Sequence, residues 1–129
     1  MKDLIAAAKT AQANSYSPYS TARIGAAVRM QDGKIYNGTN VENASYGGTV
    51  CAERIAIFKA ISEGAQPPIK EILVISHVDQ AWPPCGFCRQ VIAEFADQNT
   101  LVHFTNKDGL GNTLRFVELL PEAFGPRFL

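Results

Sequence analysis

Three thiols constrain this chain more than any other feature: Cys51 in Cys51-Ala52-Glu53, and Cys85 and Cys88 in Pro84-Cys85-Gly86-Phe87-Cys88, are its only cysteines. A Cys-x-x-Cys pair joined by a third cysteine reads as a zinc ligand set, and shared ligation brings two distant segments to one point. A structural zinc site is closed by four protein ligands. A catalytic one stops at three and leaves a position where water becomes a nucleophile. The two histidines, His77 and His103, fall at the end of one expected strand and inside another, positions typical of core or edge histidines. A fourth ligand from either would instead make a zinc-stabilised binding module without catalysis.

At 129 residues the chain suffices for one hydrophobic core and is short for two, so residues 1–129 are read as a single domain. Lysine plus arginine equals aspartate plus glutamate at 12 each, which leaves no basic surplus for a nucleic acid polymer. A small, nearly neutral substrate fits this balance better. The run Leu4-Ile5-Ala6-Ala7-Ala8 is broken by Lys9, too short for a signal core or a membrane span. A cytoplasmic location is expected, because free thiols persist there.

Leu4, Ile5, Ala8 and Ala11 recur at helical spacing over residues 2–14, and the polar stretch Asn14–Ser20, with Pro18, ends that helix. A strand is predicted over Ile24–Met30, a turn at Gln31-Asp32-Gly33-Lys34, and a returning strand over Ile35–Thr39. Thr49 is placed to cap a helix from Cys51 to Ser62, with Ile55, Ile57, Phe58 and Ile61 for its buried side and Gly64 as its stop. Pro67-Pro68 delivers an apolar strand over Ile69–Ser76, and a second cysteine-bearing helix is predicted from Cys85 to Ala96. A strand at Leu101–Thr105, a turn at Lys107–Asn112 and a short strand at Leu114–Val117 complete the pattern. The expected fold class is α/β: three layers, with a mixed central sheet of about five strands and helices on both faces.

On this placement Cys85 and Cys88, at i and i+3, share one face of a helix's first turn, while Cys51 begins the other helix. Two helix N-termini then converge on one metal, and their free N–H groups and positive dipole ends favour thiolates. Three thiolates and a hydroxide on one zinc still carry net negative charge. Arg54 and Arg89 stand where they can neutralise sulfur from behind, although each also fits as an ordinary surface residue. Glu53, two residues past Cys51, suits a carboxylate that reaches the open side of the metal without becoming a ligand. Beside a ligand set it reads as the general acid/base; alone it would be a solvated glutamate favoured by the helix dipole.

Cys51-Ala52-Glu53-Arg54 followed by Pro84-Cys85-Gly86-Phe87-Cys88-Arg89-Gln90 resembles the homotetrameric, three-cysteine, zinc-dependent cytidine deaminases. The likeness spans nearly the whole chain through Tyr16-Ser17-Pro18-Tyr19-Ser20, Gly25-Ala26-Ala27, Asn40–Gly47, Phe58–Gly64, and Leu119-Leu120-Pro121 with Phe124-Gly125-Pro126. The resemblance implies one zinc per subunit on Cys51, Cys85 and Cys88, with Glu53 as proton shuttle. The implied reaction, a step of pyrimidine salvage, turns cytidine or deoxycytidine and water into uridine or deoxyuridine and ammonia, with the carbonyl of Pro83 or a neighbour receiving the departing amine. It also implies that Asn40 and Glu42 bind the ribose hydroxyl, that Ala52 presents backbone groups to the pyrimidine edge, and that Phe124 enters a neighbouring subunit's pocket in a homotetramer. Alternation agrees in part, since Asn40 and Glu42 point the same way in an extended segment; a polar strand end is the plainer reading of the pair.

Departures from the family's pattern cluster near the implied pocket. Ala22 stands where the family usually places a phenylalanine that packs on the base, and Phe87 stands where it most often has a small residue. Gly48 replaces a commonly larger residue, and Trp82 adds an aromatic before Pro83-Pro84. In one account Phe87 fills the space vacated at Ala22 and cytidine specificity is kept. In the other, room at Ala22 and Gly48 admits cytidines with N-acyl or N-alkyl groups on the exocyclic amine, or other leaving groups at carbon 4. A third possibility, a base within DNA or RNA as substrate, is disfavoured by the charge balance and the absence of a strand-binding extension.

Overall fold

In the computed structural model, which describes residues 1–129, the order of elements is α1 (Lys2–Gln12), β1 (Gly25–Met30), β2 (Ile35–Thr39), α2 (Ala52–Ser62), β3 (Ile69–Ile75), α3 (Gly86–Phe95), β4 (Leu101–Thr105), β5 (Gly111–Arg115) and α4 (Phe116–Leu119). The strands make one five-stranded sheet in the order β2-β1-β3-β4-β5. Every neighbouring pair is antiparallel except β3 and β4, which run parallel with Leu73 opposite His103. A parallel pair needs a crossover, and α3 supplies it. That connection carries two of the three cysteines.

Alternation along the central strands sorts side chains onto two faces. Ala26, Val28 and Met30 point to one side with Ile72 and Val102, where they pack with α2, with Ile92 of α3 and with Phe116. Ala27 points to the other with Leu73 and Ile75, under Leu4 and Ala8 of α1. The result is the expected three-layer arrangement, with α1 on one face and α2, α3 and α4 on the other. On the α1 side a polar chain crosses the strands: Arg29 bonds Asp3 at 2.8 Å and Glu71 at 2.9 Å, and His103 spans Glu71 at 2.8 Å and Thr113 at 2.7 Å.

α2 meets the sheet through alanines and Ile57, and of the other large residues expected there none is fully buried. Ala52, Ala56 and Ala60 are fully buried with Ile57, whereas Phe58 is exposed and Ile55 and Ile61 are only partly covered. The reason is distance: a Cβ added to Gly38 on β2 would lie 2.5 Å from the Ala56 backbone nitrogen, so helix and strand touch nearly backbone to backbone. Such contact admits small residues on the helix face.

Two further expectations are corrected. The N-cap of α2 is Cys51, not Thr49, and no side chain caps it; the Thr49 hydroxyl instead accepts the Asn43 N–H at 3.1 Å. The last strand is Gly111–Arg115, not Leu114–Val117, because Phe116 turns inward as the first residue of α4 and is buried there. Gly64, at φ +91°, follows the end of α2 as its sequence position implies. No helix is long and apolar enough to cross a membrane.

Candidate metal centre and active site

The thiols of Cys51, Cys85 and Cys88 lie within 4.8 Å of one another. Cys51 is the N-cap of α2, Cys85 the N-cap of α3, and Cys88 sits in the first turn of α3, so both helix N-termini face the same point. The Cys51 and Cys85 sulfurs are 4.0 Å apart. A tetrahedral zinc with bonds of about 2.3 Å holds its sulfur ligands ~3.8 Å apart, so this trio is spaced as a zinc ion requires. All three are free thiols, and neither histidine belongs to the cluster. His103 is engaged with Glu71 and Thr113, and His77 forms a T-shaped pair with Trp82. The fourth-ligand alternative therefore has no residue to supply it.

Arg54 reaches back across the first turn of α2 and donates to the Cys51 sulfur at 3.5 Å. Its guanidinium lies 4.1 Å from the centre of the Phe87 ring, so the cation is held between a sulfur and an aromatic face. Burial alone would weaken its charge, but hydrogen bonds to Cys51 and Cys88 outweigh that and raise its pKa. The Cys51 thiol is drawn down to about 5, first by the hydrogen bond with Cys88 and then by Arg54. Cys88 moves the other way, since its bond to Cys51 and its burial keep its proton in place. Arg89, though adjacent to Cys88, makes its hydrogen bonds away from sulfur: it donates to the carbonyls of Pro84 at 2.8 Å and Leu119 at 2.9 Å. Successive helix residues diverge by about 100°, which carries Arg89 off the face that Cys88 occupies.

Beside the sulfurs lies a cavity of about 230 Å³, lined by Ala22, Ile24, Asn40, Glu42, Thr49, Cys51, Ala52, Glu53, Val74, Trp82, Pro83 and Cys85. Glu53 is 5 % exposed, and burial pushes its carboxyl up to about 7, with the Cys51 charge adding to the rise. A buried carboxyl poised near neutrality next to a ligand set is what proton transfer needs. A larger cavity, about 460 Å³, lies between α3 and the C-terminal segment, but no thiol or histidine lines it.

Asn40 and Glu42 reach the cavity while supporting its wall. Asn40 accepts the Ile24 N–H at 3.0 Å and donates to the Ala22 carbonyl at 2.8 Å. Glu42 accepts the N–H groups of Tyr19 at 3.0 Å and Ser20 at 3.1 Å, and the Ser20 hydroxyl holds its pKa below the usual carboxylate value. Phe87 is absent from the lining and mostly exposed, so it does not refill the space at Ala22 as the compensation account requires. Gly48 is also outside the cavity; a Cβ there would meet only Asn43, at 3.5 Å. Phe124 stands apart from this cavity, exposed, its ring stacked on Phe128 at 5.5 Å. Ile24, Thr49 and Val74 line the cavity without any sequence signal for it, because segments far apart in the chain bring them there.

A thiol trio at two helix starts, with a buried carboxyl on the adjoining cavity, defines a zinc centre of the hydrolytic class on a three-layer α/β scaffold. Known proteins agree. Residues 1–104 match the cytidine and deoxycytidylate deaminase zinc-binding region. The chain is 46% identical over 121 residues to a cytidine deaminase of Halalkalibacterium halodurans, covering 94% of this chain and 91% of the relative. It is 44% identical over 124 residues to that of Sporosarcina psychrophila, covering 96% and 90%. The crystal structure of cytidine deaminase from Burkholderia pseudomallei superposes with a TM-score of 0.90 at 43% identity, covering 95% of this chain and 98% of that one. The chain belongs to the cytidine and deoxycytidylate deaminase zinc-binding family.

Proposed function

We propose that this protein hydrolyses cytidine and deoxycytidine to uridine and deoxyuridine with release of ammonia. The observation that carries the reading is Glu53, buried on the cavity wall beside thiols spaced for zinc, in a chain whose relatives are named cytidine deaminases. Cys51, Cys85 and Cys88 would hold the ion, and zinc supplies the Lewis acidity that makes water a nucleophile near neutral pH. Glu53 accepts a proton from the attacking water and passes it to ring nitrogen 3 as the bond from oxygen to carbon 4 forms. It then moves the second proton to the exocyclic amine, the bond from carbon 4 to that nitrogen breaks, and ammonia leaves. The carbonyl of Pro83 would receive the departing amine and the backbone of Ala52 would bind the pyrimidine edge, both residues lying on the same lining.

Asn40 and Glu42 face the sugar in this reading, and their bonds to the Tyr19–Ile24 segment keep that wall in position. The cavity is smaller than the roughly 300 Å³ at which small-molecule pockets usually begin, and it shares Glu42 and Thr49 with an open surface pocket that Tyr19, Ser20 and Tyr46 also line. That favours closure by a second copy, with Phe124 as the inserted residue of a homotetramer, in a cytoplasmic enzyme of pyrimidine salvage. Cytidines substituted on the exocyclic amine find no favour among relatives named simply cytidine deaminases. Spectrophotometric assay of cytidine with zinc quantified per chain tests the proposal: turnover should track zinc content, vanish with a chelator and return with added zinc. A fully zinc-loaded chain inert on cytidine and deoxycytidine would refute it.

A further inference from the structure

Trp82 is the one aromatic residue on the lining of the cavity beside the thiols. Ala22 contributes only a methyl group, and Phe87 lies elsewhere over Arg54. Trp82 shares the lining with Ala22, Glu53 and Cys85, yet comes from the segment that joins β3 to α3. Its indole has a set orientation. The His77 ring meets it in a T-shaped pair, with centroids 5.3 Å apart and planes at 88°, and Pro83 restricts the backbone of Trp82 itself. At 38% exposed it is neither a core residue nor a freely solvated one: part of a large apolar surface is held against the open space beside the metal ligands. An aromatic face held there gains most when a flat ring covers it.

We infer that Trp82 is the substrate-contacting aromatic of this site, its indole packing against the pyrimidine ring across the cavity that Ala22 leaves open. The inference rests on the nucleoside reading above. It makes the β3–α3 connection both metal-binding and base-binding, with Trp82 and Cys85 three positions apart. His77 then acts as a positioning residue, through its T-shaped contact with the indole.

Trp82 is the chain's only tryptophan, so intrinsic emission reports on this position alone. Titrating the zinc-loaded wild type with uridine, the reaction product, should change that emission saturably. Trp82→Ala should raise KM for cytidine about tenfold, the order expected for loss of one base–aromatic contact, with kcat and zinc per chain nearly unchanged. Trp82→Phe should stay close to wild type, and adding Ala22→Phe to Trp82→Ala should recover part of the lost KM. An unchanged KM in Trp82→Ala overturns the inference, as does emission unmoved by saturating uridine, a readout that stands even if the alanine variant misfolds. Wild-type turnover of cytidine is scored separately, so failure of the substrate reading is distinguishable from failure of Trp82.

Discussion

Arg54 concentrates the electrostatics of the site in one side chain. Its guanidinium bonds the Cys51 sulfur on one side and is covered by the Phe87 ring on the other, which limits the water that would otherwise screen it. Arg54→Ala should lower zinc affinity about 10- to 100-fold, the usual cost of removing a partner behind a metal ligand. Phe87→Ala should speed zinc release by about threefold, because it removes a cation–π contact and leaves the hydrogen bond. Zinc transferred to a colorimetric chelator over time measures both, and a Phe87→Ala rate equal to wild type would assign the ring no role. The thiols, Glu53 and Arg54 were legible in sequence because they share short helical motifs. The covering of Arg54 by Phe87 was not, since contact across two helices leaves no local pattern.

At the scale of elements, legibility followed apolar contrast. β1, β2, β3 and β4 carry apolar alternation or runs bounded by turn residues, and the expected spans matched within a residue at either end. β5 is polar and mostly exposed, so nothing in Gly111–Arg115 marked it, and Phe116 drew the strand assignment toward a residue that begins α4. α2 misled in part: of its large residues only Ile57 is fully buried, and alanines occupy the rest of that face. Gly38→Ala should therefore destabilise the fold by roughly 1–3 kcal/mol, the range for overpacking, since the new methyl meets α2 backbone; denaturant titration measures it. Glu71 supplies a pH-dependent test on the opposite face. Burial would raise its pKa, but His103 and Arg29 prevail and hold it below the ordinary 4.5. A depressed carboxyl stabilises the fold above its ordinary pKa and loses that contribution as pH falls through the folded value. Thermal melts of Glu71→Gln should thus fall below wild type at pH 7 and converge with it as pH falls well below the ordinary 4.5.

For the whole molecule, the sheet brings together at one end what the chain keeps apart: a parallel crossover delivers Cys85 and Cys88, while α2, packed closely on β2, brings Cys51 and Glu53. In the proposed assembly, the exposed Phe124 of one copy completes the site of another. Co-expressed Glu53→Gln and Phe124→Ala chains should then regain activity that each lacks or nearly lacks alone, because a mixed assembly contains sites with both residues intact; activity no higher than the sum of the separate variants would count against shared sites. If Glu53 moves protons for a nucleoside beside a three-thiol zinc centre, Glu53→Gln must disable turnover without releasing the metal. With zinc per chain and thermal stability measured alongside, kcat for cytidine should fall by about two to four orders of magnitude while zinc stays bound. A zinc-loaded, folded Glu53→Gln enzyme with wild-type turnover would mean that Glu53 moves no proton in the reaction.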